Sequence, residues 1–482
     1  MGWRTTLLLF SLTWIACAKC PVALAPDAPK GTAPRTGDVR SPSTPTGSAA
    51  APSPAASQTA VHVIFVSIDG LGATAIANRD ALGLRIPELR RLLSEGASAS
   101  SVLPVYPSLT YPNHTTMMTG VSPRAHGIYN NFAFDPLDKN KDGWTWYTRD
   151  VKAELLWDAV HRAGKKVGSV YFPVTVGANI DWNIPQFWRA EVPEDSKLLR
   201  ALSTPETVLD LEAHQVPLPG EHTKDSVRAD AAIRIWEAHE PDLLLVYFSD
   251  FDTAAHKFGP ASREAKDALE AIDASLGKLR SSVETKRVPF VLAVASDHGF
   301  RAATKSIRLG VMLKKQGLVE FDAKGIKRYD AAVWRGNGMC AVYLGEDIDD
   351  KAKRAVAAAF ERIARSPANG IGRIVTAPEL EDLGAFPGAA FALEAAPGFM
   401  FNKGFSGPLV APSEERGAHG YDPSAADMRA VFMMAGQGVR GGSLGEVRMT
   451  DIAPTLASFL GVTLRAAQGR VLSAAPHGTK PL

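Results

Sequence analysis

Seven side chains capable of metal chemistry punctuate this sequence: Asp69, Thr110, the pair Asp252/His256, the pair Asp297/His298, and His419. Six are oxygen or nitrogen ligands of the kind that hold two divalent ions, and Thr110 is a hydroxyl suited to attack an electrophile. Asp252 and His256 are four residues apart, so one helical turn brings both to the same side. Asp297-His298 directly follows a buried apolar run, where an acid and an imidazole have no packing reason to stand. His419 lies in RGAHGYD, near glycines that permit close backbone approach. Thr110 precedes Tyr111-Pro112, and proline in a first helical turn puts Thr110 at a helix N-terminus. Each signal alone also has a plain reading: a surface Asp/His pair, an N-cap beside a histidine, a loop histidine, a Thr N-cap.

The elements that must position these residues are legible as periodicity. VHVIFVSIDG, from Val61, is a continuous β-branched and apolar run ending in Asp-Gly, the pattern of a buried parallel strand opening into a loop. The same pattern recurs at Lys166–Phe172, Asp242–Ser249 and Val288–Ser296, and more weakly at Arg429–Ala435. Helical patterns intervene at Ile86–Gly96, Ala153–Ala163, Lys224–His239, Ser262–Glu284 and Thr450–Leu460. This alternation predicts an α/β sandwich with a mostly parallel central sheet and helices on both faces. Ligands of such sheets sit beyond the carboxyl ends of the strands, where Asp69, Asp252 and Asp297 all fall. Residues 318–410 break the alternation and read as a small α/β insertion, or cap, within a catalytic domain spanning 61–465, with 466–482 as a flexible tail.

A chain of 482 residues with 45% hydrophobic and 22% charged composition can bury a large core. Its formal charge of +2 and its lack of a dense Lys/Arg run argue against polymeric nucleic acid as the main partner. Residues 1–25, with Arg4 ahead of an apolar stretch and then small residues, read as a secretory signal. Both Ala16-Cys17-Ala18 and Ala23-Leu24-Ala25 resemble cleavage sites, and Cys17 is also placed as a lipid acceptor. The expectation is an exported protein: periplasmic, held at a bacterial outer membrane as a lipoprotein, or secreted. Residues 26–60, rich in Pro, Ala and Ser, should form a disordered linker. Only Cys340 lies in the folded body, so no disulfide framework is expected there. His114 and His126 sit beside small residues and turns and should make structural hydrogen bonds.

In order, IDGLG, YPSLTYPNHTTMMTGVSPRAHGIYNN, DFDTAAHKFGP, SDHGF and GAHGYD, with MTDIAPTLASFLGV near the end, resemble the nucleotide pyrophosphatase/phosphodiesterase family of the alkaline phosphatase superfamily. The resemblance implies an alkaline-phosphatase-like fold and two zinc ions. One would be held by Asp252, His256 and His419, and the other by Asp69, Asp297 and His298, with Thr110 as a nucleophile bound to the second. It implies cleavage of phosphodiester or pyrophosphate bonds in nucleotides, a phospho-threonine intermediate, and release of nucleoside 5′-monophosphates. The Tyr111 N–H and the Asn131 side chain would hold a non-bridging oxygen. Tyr111 and Trp188, or Phe187 in its place, would sandwich a base. Phosphodiesterases of lipid head groups or glycerophosphodiesters and phosphonate hydrolases would keep the same seven residues, as would an inactive binding homologue. A phosphomonoesterase needs extra cations, and the only one near the Thr110 motif in sequence is Arg124. A sulfatase needs a Cys/Ser-x-Pro-x-Arg context that Thr110 lacks.

Overall fold

A computed structural model describes residues 61–475 except 141–142, 190–191, 193, 221, 324 and 403. The expected signal (1–25) and linker (26–60) lie outside the described residues.

The core is an eight-stranded sheet formed by β1 (His62–Ile68), β2 (Ala97–Leu103), β3 (Val167–Val170), β4 (Trp182–Ile184), β5 (Leu243–Phe248), β6 (Phe290–Ala295), β7 (Phe432–Gly436) and β8 (Gly442–Arg448). In space the order is β8-β2-β7-β6-β1-β5-β3-β4. All pairs are parallel except those of β7, which runs antiparallel to β2 and β6. The most apolar runs, β1, β5 and β6, are three adjacent central strands, covered on both faces by the core. Register keeps their carboxyl ends level: Ile68 lies beside Phe248, and Ser67 beside Ala295. Asp69, Asp252 and Asp297 therefore emerge from neighbouring strands at one edge.

The helices expected from periodicity form at Pro87–Glu95, Leu156–Arg162, Asp225–His239, Arg263–Thr285 and Ile452–Leu460. The strand ASASSVL (β2) escapes a hydrophobicity reading because it is mostly Ala and Ser and only partly buried. Residues 318–410 contain a four-stranded antiparallel sheet, in the order Ala331–Arg335, Met339–Leu344, Phe391–Ala395, Ile371–Thr376, with the helix Asp350–Ala364 beside it. A separate strand, Arg301–Ile307, pairs with Gly398–Phe401, Val410–Pro412 and Gly417–Ala418, and so leads the chain from this insertion back to His419.

Residues 466–475 differ from the flexible tail expected from sequence. Gln468 N–H donates to the Gly120 carbonyl, Arg470 N–H to Asp451, and Leu472 and Ala475 are buried in the main core. Small side chains gave no periodicity to read there, yet they fill the space over the C-terminal helix.

Phe65, fully buried at the centre of β1 with its ring 6.1 Å from that of Phe172, tests the core. Phe65→Ala should cost roughly 3–5 kcal/mol in denaturant unfolding; a loss below about 1 kcal/mol would contradict the packing described.

Candidate active site

Thr110 is the first residue of the helix Thr110–Thr119, all of whose residues are buried. The loop delivering it is clamped by Asn113: its Nδ2 donates to the carbonyls of Pro107 (3.2 Å) and Leu109 (2.9 Å), and its Oδ1 accepts from Val105 N–H. Asp252 and His256 lie one turn apart on the helix Asp250–Phe258 that follows β5. Asp297 and His298 follow β6, and His419 follows the short strand Gly417–Ala418. The glycines around His419 have definite work. A Cβ on Gly417 would stand 2.4 Å from the Ala255 carbonyl, and Gly420 has φ +84 with its Cβ position 2.7 Å from Leu109.

All seven residues converge. His298 Nε2 lies 3.3 Å from Asp69 Oδ1, 3.2 Å from Asp297 Oδ2 and 3.5 Å from Thr110 Oγ1. His256 Nε2 is 3.6 Å and His419 Nε2 4.0 Å from Asp252 Oδ1. Two groups have ligand atoms close enough to share an ion: Asp252, His256 and His419, and Asp69, Asp252 and His298. Asp252 thus stands between two positions, with Asp297 reaching the second through its contact with His298.

The donor set fits divalent metal. Asp69 Oδ1 and Asp297 Oδ2 are buried without a hydrogen-bond partner, a costly state that a cation would relieve. The histidines contact backbone carbonyls through Nδ1: His256 with Gly417 (3.1 Å), His298 with Gly299 (3.0 Å), His419 with Ser108 (3.0 Å). With the proton on Nδ1, the Nε2 lone pair faces inward as a ligand. His114 contrasts with them. Its Nδ1 meets the Thr110 carbonyl and its Nε2 the Ser67 hydroxyl, so both nitrogens are used structurally. His126 is similarly occupied by Thr116 and Ile128.

Burial dominates the electrostatics. It raises Asp69 well above the usual carboxylate range, with Asp297 adding repulsion, and lifts Asp297 to about 7. It lowers His419 to about 3 and His298 well below the ordinary imidazole value. Supporting groups resist the repulsion: Gly70 N–H donates to Asp297 Oδ1 at 3.1 Å, and the Tyr247 hydroxyl donates to Asp69 Oδ2. Behind them Asp225 accepts from Ser249 N–H and Asp250 N–H, fixing the start of the helix that carries Asp252. Arg228, buried beside Asp225 at 2.8 Å, also donates to Ser249 Oγ and stacks over Tyr171.

The cluster opens into a cavity of about 630 Å³ whose wall includes Asn131, Trp144, Gln186, Trp188, Lys257 and Arg335. Three sequence expectations change here. Tyr111 N–H donates to Asn131 Oδ1 (2.9 Å), which leaves Asn131 Nδ2, rather than both groups, to meet a ligand oxygen. Tyr111 is fully buried, its hydroxyl bonded to Gln186, and Trp144 packs against both its ring (5.5 Å) and that of Trp188 (4.7 Å). Tyr111 and Trp188, the pair expected to sandwich a base, both line the cavity together with Trp144 and Phe132, and the Trp144 ring packs between them. Phe187 packs on Trp146 in the core, leaving Trp188 as the cavity residue. Finally, Arg124 is turned outward to Glu381, whereas Lys257 and Arg335 bring positive charge to the cavity. Trp144, Arg335, Gln186 and Tyr247 carry no sequence signal of function, since only tertiary folding brings them to Thr110.

The family model described as type I phosphodiesterase / nucleotide pyrophosphatase matches residues 63–422. Human ectonucleotide pyrophosphatase/phosphodiesterase family member 1 is 26% identical over 261 residues, 51% of this chain and 24% of that protein. Rat family member 7 is 25% identical over 244 residues, 49% of this chain and 48% of that protein. The match thus spans about half or less of these relatives. The solved structure of human ectonucleotide pyrophosphatase/phosphodiesterase 5 superposes with a TM-score of 0.63 at 20% identity, covering 86% of this chain and all of that one. The fold is the alkaline-phosphatase-like α/β sandwich expected from the sequence.

Replacing Tyr247 by Phe removes the hydroxyl that steadies Asp69. This should weaken divalent-metal affinity by roughly 10–100-fold, measured by chelator competition. Unchanged affinity would show that Tyr247 does not support a ligand.

Proposed function

The chain belongs to the type I phosphodiesterase / nucleotide pyrophosphatase family, and from that premise we propose that it is an exported, zinc-dependent hydrolase of nucleotide phosphodiester or pyrophosphate bonds. It releases nucleoside 5′-monophosphates through a phospho-threonine intermediate on Thr110. The observation that carries this reading is the convergence of three inward-facing histidines and three carboxylates, two of them buried, around the Thr110 hydroxyl.

Asp252, His256 and His419 would hold one ion, and Asp69, Asp297 and His298, with Thr110, the other. When bound, such ions supply positive charge that lets a hydroxyl ionise near neutral pH and offsets charge developing on phosphorus. The protein's own groups complete the arrangement. Thr110 sits at the N-terminus of a ten-residue helix, where the peptide dipoles favour negative charge on its oxygen. Thr110 Oγ1 forms a bond to phosphorus as the bond to the leaving oxygen breaks. Water then cleaves the threonyl phosphoester, regenerating the hydroxyl. Asn131 Nδ2, oriented by the Tyr111 N–H on its oxygen, donates to a non-bridging oxygen. Trp144 and Trp188 offer ring faces for a base. An inactive murine relative of this fold has been solved in complex with AMP, which accords with a nucleotide ligand.

Export rests on the signal pattern of residues 1–25, with Cys17 as a lipid-anchor site if cleavage occurs before it. Among the described residues no helix is long and apolar enough to cross a membrane.

Thr110→Ala should lower turnover of p-nitrophenyl thymidine 5′-monophosphate by roughly 10³-fold or more while zinc content, measured by atomic emission, is retained. Residual activity near wild type would remove Thr110 as nucleophile. Trp144→Ala and Trp188→Ala should raise KM for the same ester about tenfold, as expected for a lost stacking contact, and barely alter that for bis-p-nitrophenyl phosphate. Equal effects on both would point to a substrate without a base.

A further inference from the structure

Arg335 ends the insertion strand Ala331–Arg335, and its position is fixed from two sides. Its carbonyl accepts from Asn130 Nδ2 at 3.0 Å, and the neighbouring Trp334 Nε1 donates to the Phe132 carbonyl at 2.9 Å. These bonds bolt the strand end to the 130–132 loop, the same loop that presents Asn131 to the cavity. The guanidinium lies over the Phe132 ring at 5.6 Å and lines the cavity containing Thr110.

This cavity arginine has no acid beside it. Arg228, Arg280 and Arg301 are by contrast paired with Asp225, Glu95 and Asp427 at 2.6–2.8 Å. Among the described residues no carboxylate reaches ion-pair distance of Arg335, which is only partly exposed. Glu415 and Asp138 act on it from farther away, and burial lowers its affinity for its proton. Leaving a guanidinium half-buried and unpaired is costly, and phosphate oxygens relieve that cost well, because the planar fork can donate two parallel hydrogen bonds. Lys257, on the rim of the same cavity, adds a second cation.

We propose that Arg335 receives an anionic group of the leaving side of the substrate, beyond the scissile phosphorus, and so selects nucleotides whose leaving group is itself phosphate or polyphosphate. The inference rests on the nucleotide hydrolase reading and adds to it a specificity residue delivered by the insertion. Neither the Thr110 motif nor the metal motifs contain this residue. The scissile phosphoryl already meets the histidine and carboxylate cluster and Asn131, so a further cation lining the same cavity is available to a second charge. Nucleoside triphosphates and dinucleoside polyphosphates carry such a charge. An aryl ester of a nucleoside monophosphate does not.

The test compares the zinc-loaded full chain on ATP and on p-nitrophenyl thymidine 5′-monophosphate. Arg335→Gln should lower kcat/KM for ATP about 10–100-fold more than for the aryl ester, the scale of a charge-assisted hydrogen bond. The Ki of inorganic pyrophosphate against the aryl ester should rise in parallel. Arg335→Lys, which keeps the charge and the aliphatic stem, should recover part of the ATP activity and serves where the Gln variant folds poorly. Equal losses on both substrates, an unchanged pyrophosphate Ki, or a Lys variant no better on ATP than Gln would overturn the assignment. A wild-type enzyme that cleaves both substrates, with Arg335→Gln falling equally, sinks only the Arg335 proposal. A wild-type enzyme that cleaves neither sinks the nucleotide reading and this inference with it.

Discussion

Repulsion among Asp69, Asp252 and Asp297 is the constraint on which the rest of this structure turns. Three adjacent parallel strands with level ends lead to three acids in one cluster, two of them buried. Burial disfavours ionising Asp69 and Asp297, and the neighbouring acids make it worse, as the raised affinities of these two for protons show. A fold can tolerate such a cluster if the acids stay protonated, if protein cations pair with them, or if metal ions do. No Lys or Arg within the described residues pairs with Asp69 or Asp297, whereas three imidazoles with inward Nε2 atoms stand among the acids. Neutral imidazoles do not cancel carboxylate charge, but together with carboxylates they make a ligand set. The third solution is the one for which the donors are arranged.

Orienting that set requires groups that do not themselves occupy the ligand atoms. The Tyr247 hydroxyl takes the oxygen of Asp69 that faces away from His298, and the Gly70 amide takes the corresponding oxygen of Asp297. Asp225 does the same for a whole helix, because its two oxygens accept the amides of Ser249 and Asp250. An acid so deeply buried would be expensive alone, and burial lifts it to about 6 even with Arg228 beside it. Its worth is therefore directional: the Asp225–Arg228 pair fixes where the helix begins, and with it the reach of Asp252 and His256.

Sequence revealed the parts of this arrangement that are repeated in residue type. β1, β5 and β6 are legible because strands buried on both faces must be apolar throughout. Asp69, Asp297 and His298 are legible because they interrupt such runs. β2 was not, since Ala and Ser alternate there without a strong hydrophobic signal, and neither was the packing of residues 466–475. The cavity was harder still. Tyr111 and Trp188 could be named from the motif, but the ring joining them, Trp144, comes from a segment of turns with no periodicity. Asn131 could be named as well, although its oxygen turned out to be held by Tyr111 N–H. Tyr247 looked like one more apolar position in β5, and its hydroxyl acquires meaning only through the parallel register that sets it beside β1.

The same division separates chemistry from selectivity. Every candidate ligand except His419 projects from the carboxyl edge of the central sheet, and His419 arrives on a strand tied to Arg301–Ile307. Their relative positions are set by backbone hydrogen bonding, which leaves little freedom to vary. The aromatic wall and Arg335 instead come from the 130–146 loop, the segment after β4 and the insertion sheet, joined by a few side-chain bonds such as Trp334 to Phe132 and Asn130 to Arg335. Substitution in these segments changes what surrounds the phosphorus without moving the metal ligands. Which cation or ring lines the cavity is thus decided apart from the candidate ligands themselves. In this chain the insertion supplies Arg335, which no carboxylate among the described residues reaches at ion-pair distance, so the charge of the cavity wall is set by a segment that carries none of the candidate ligands.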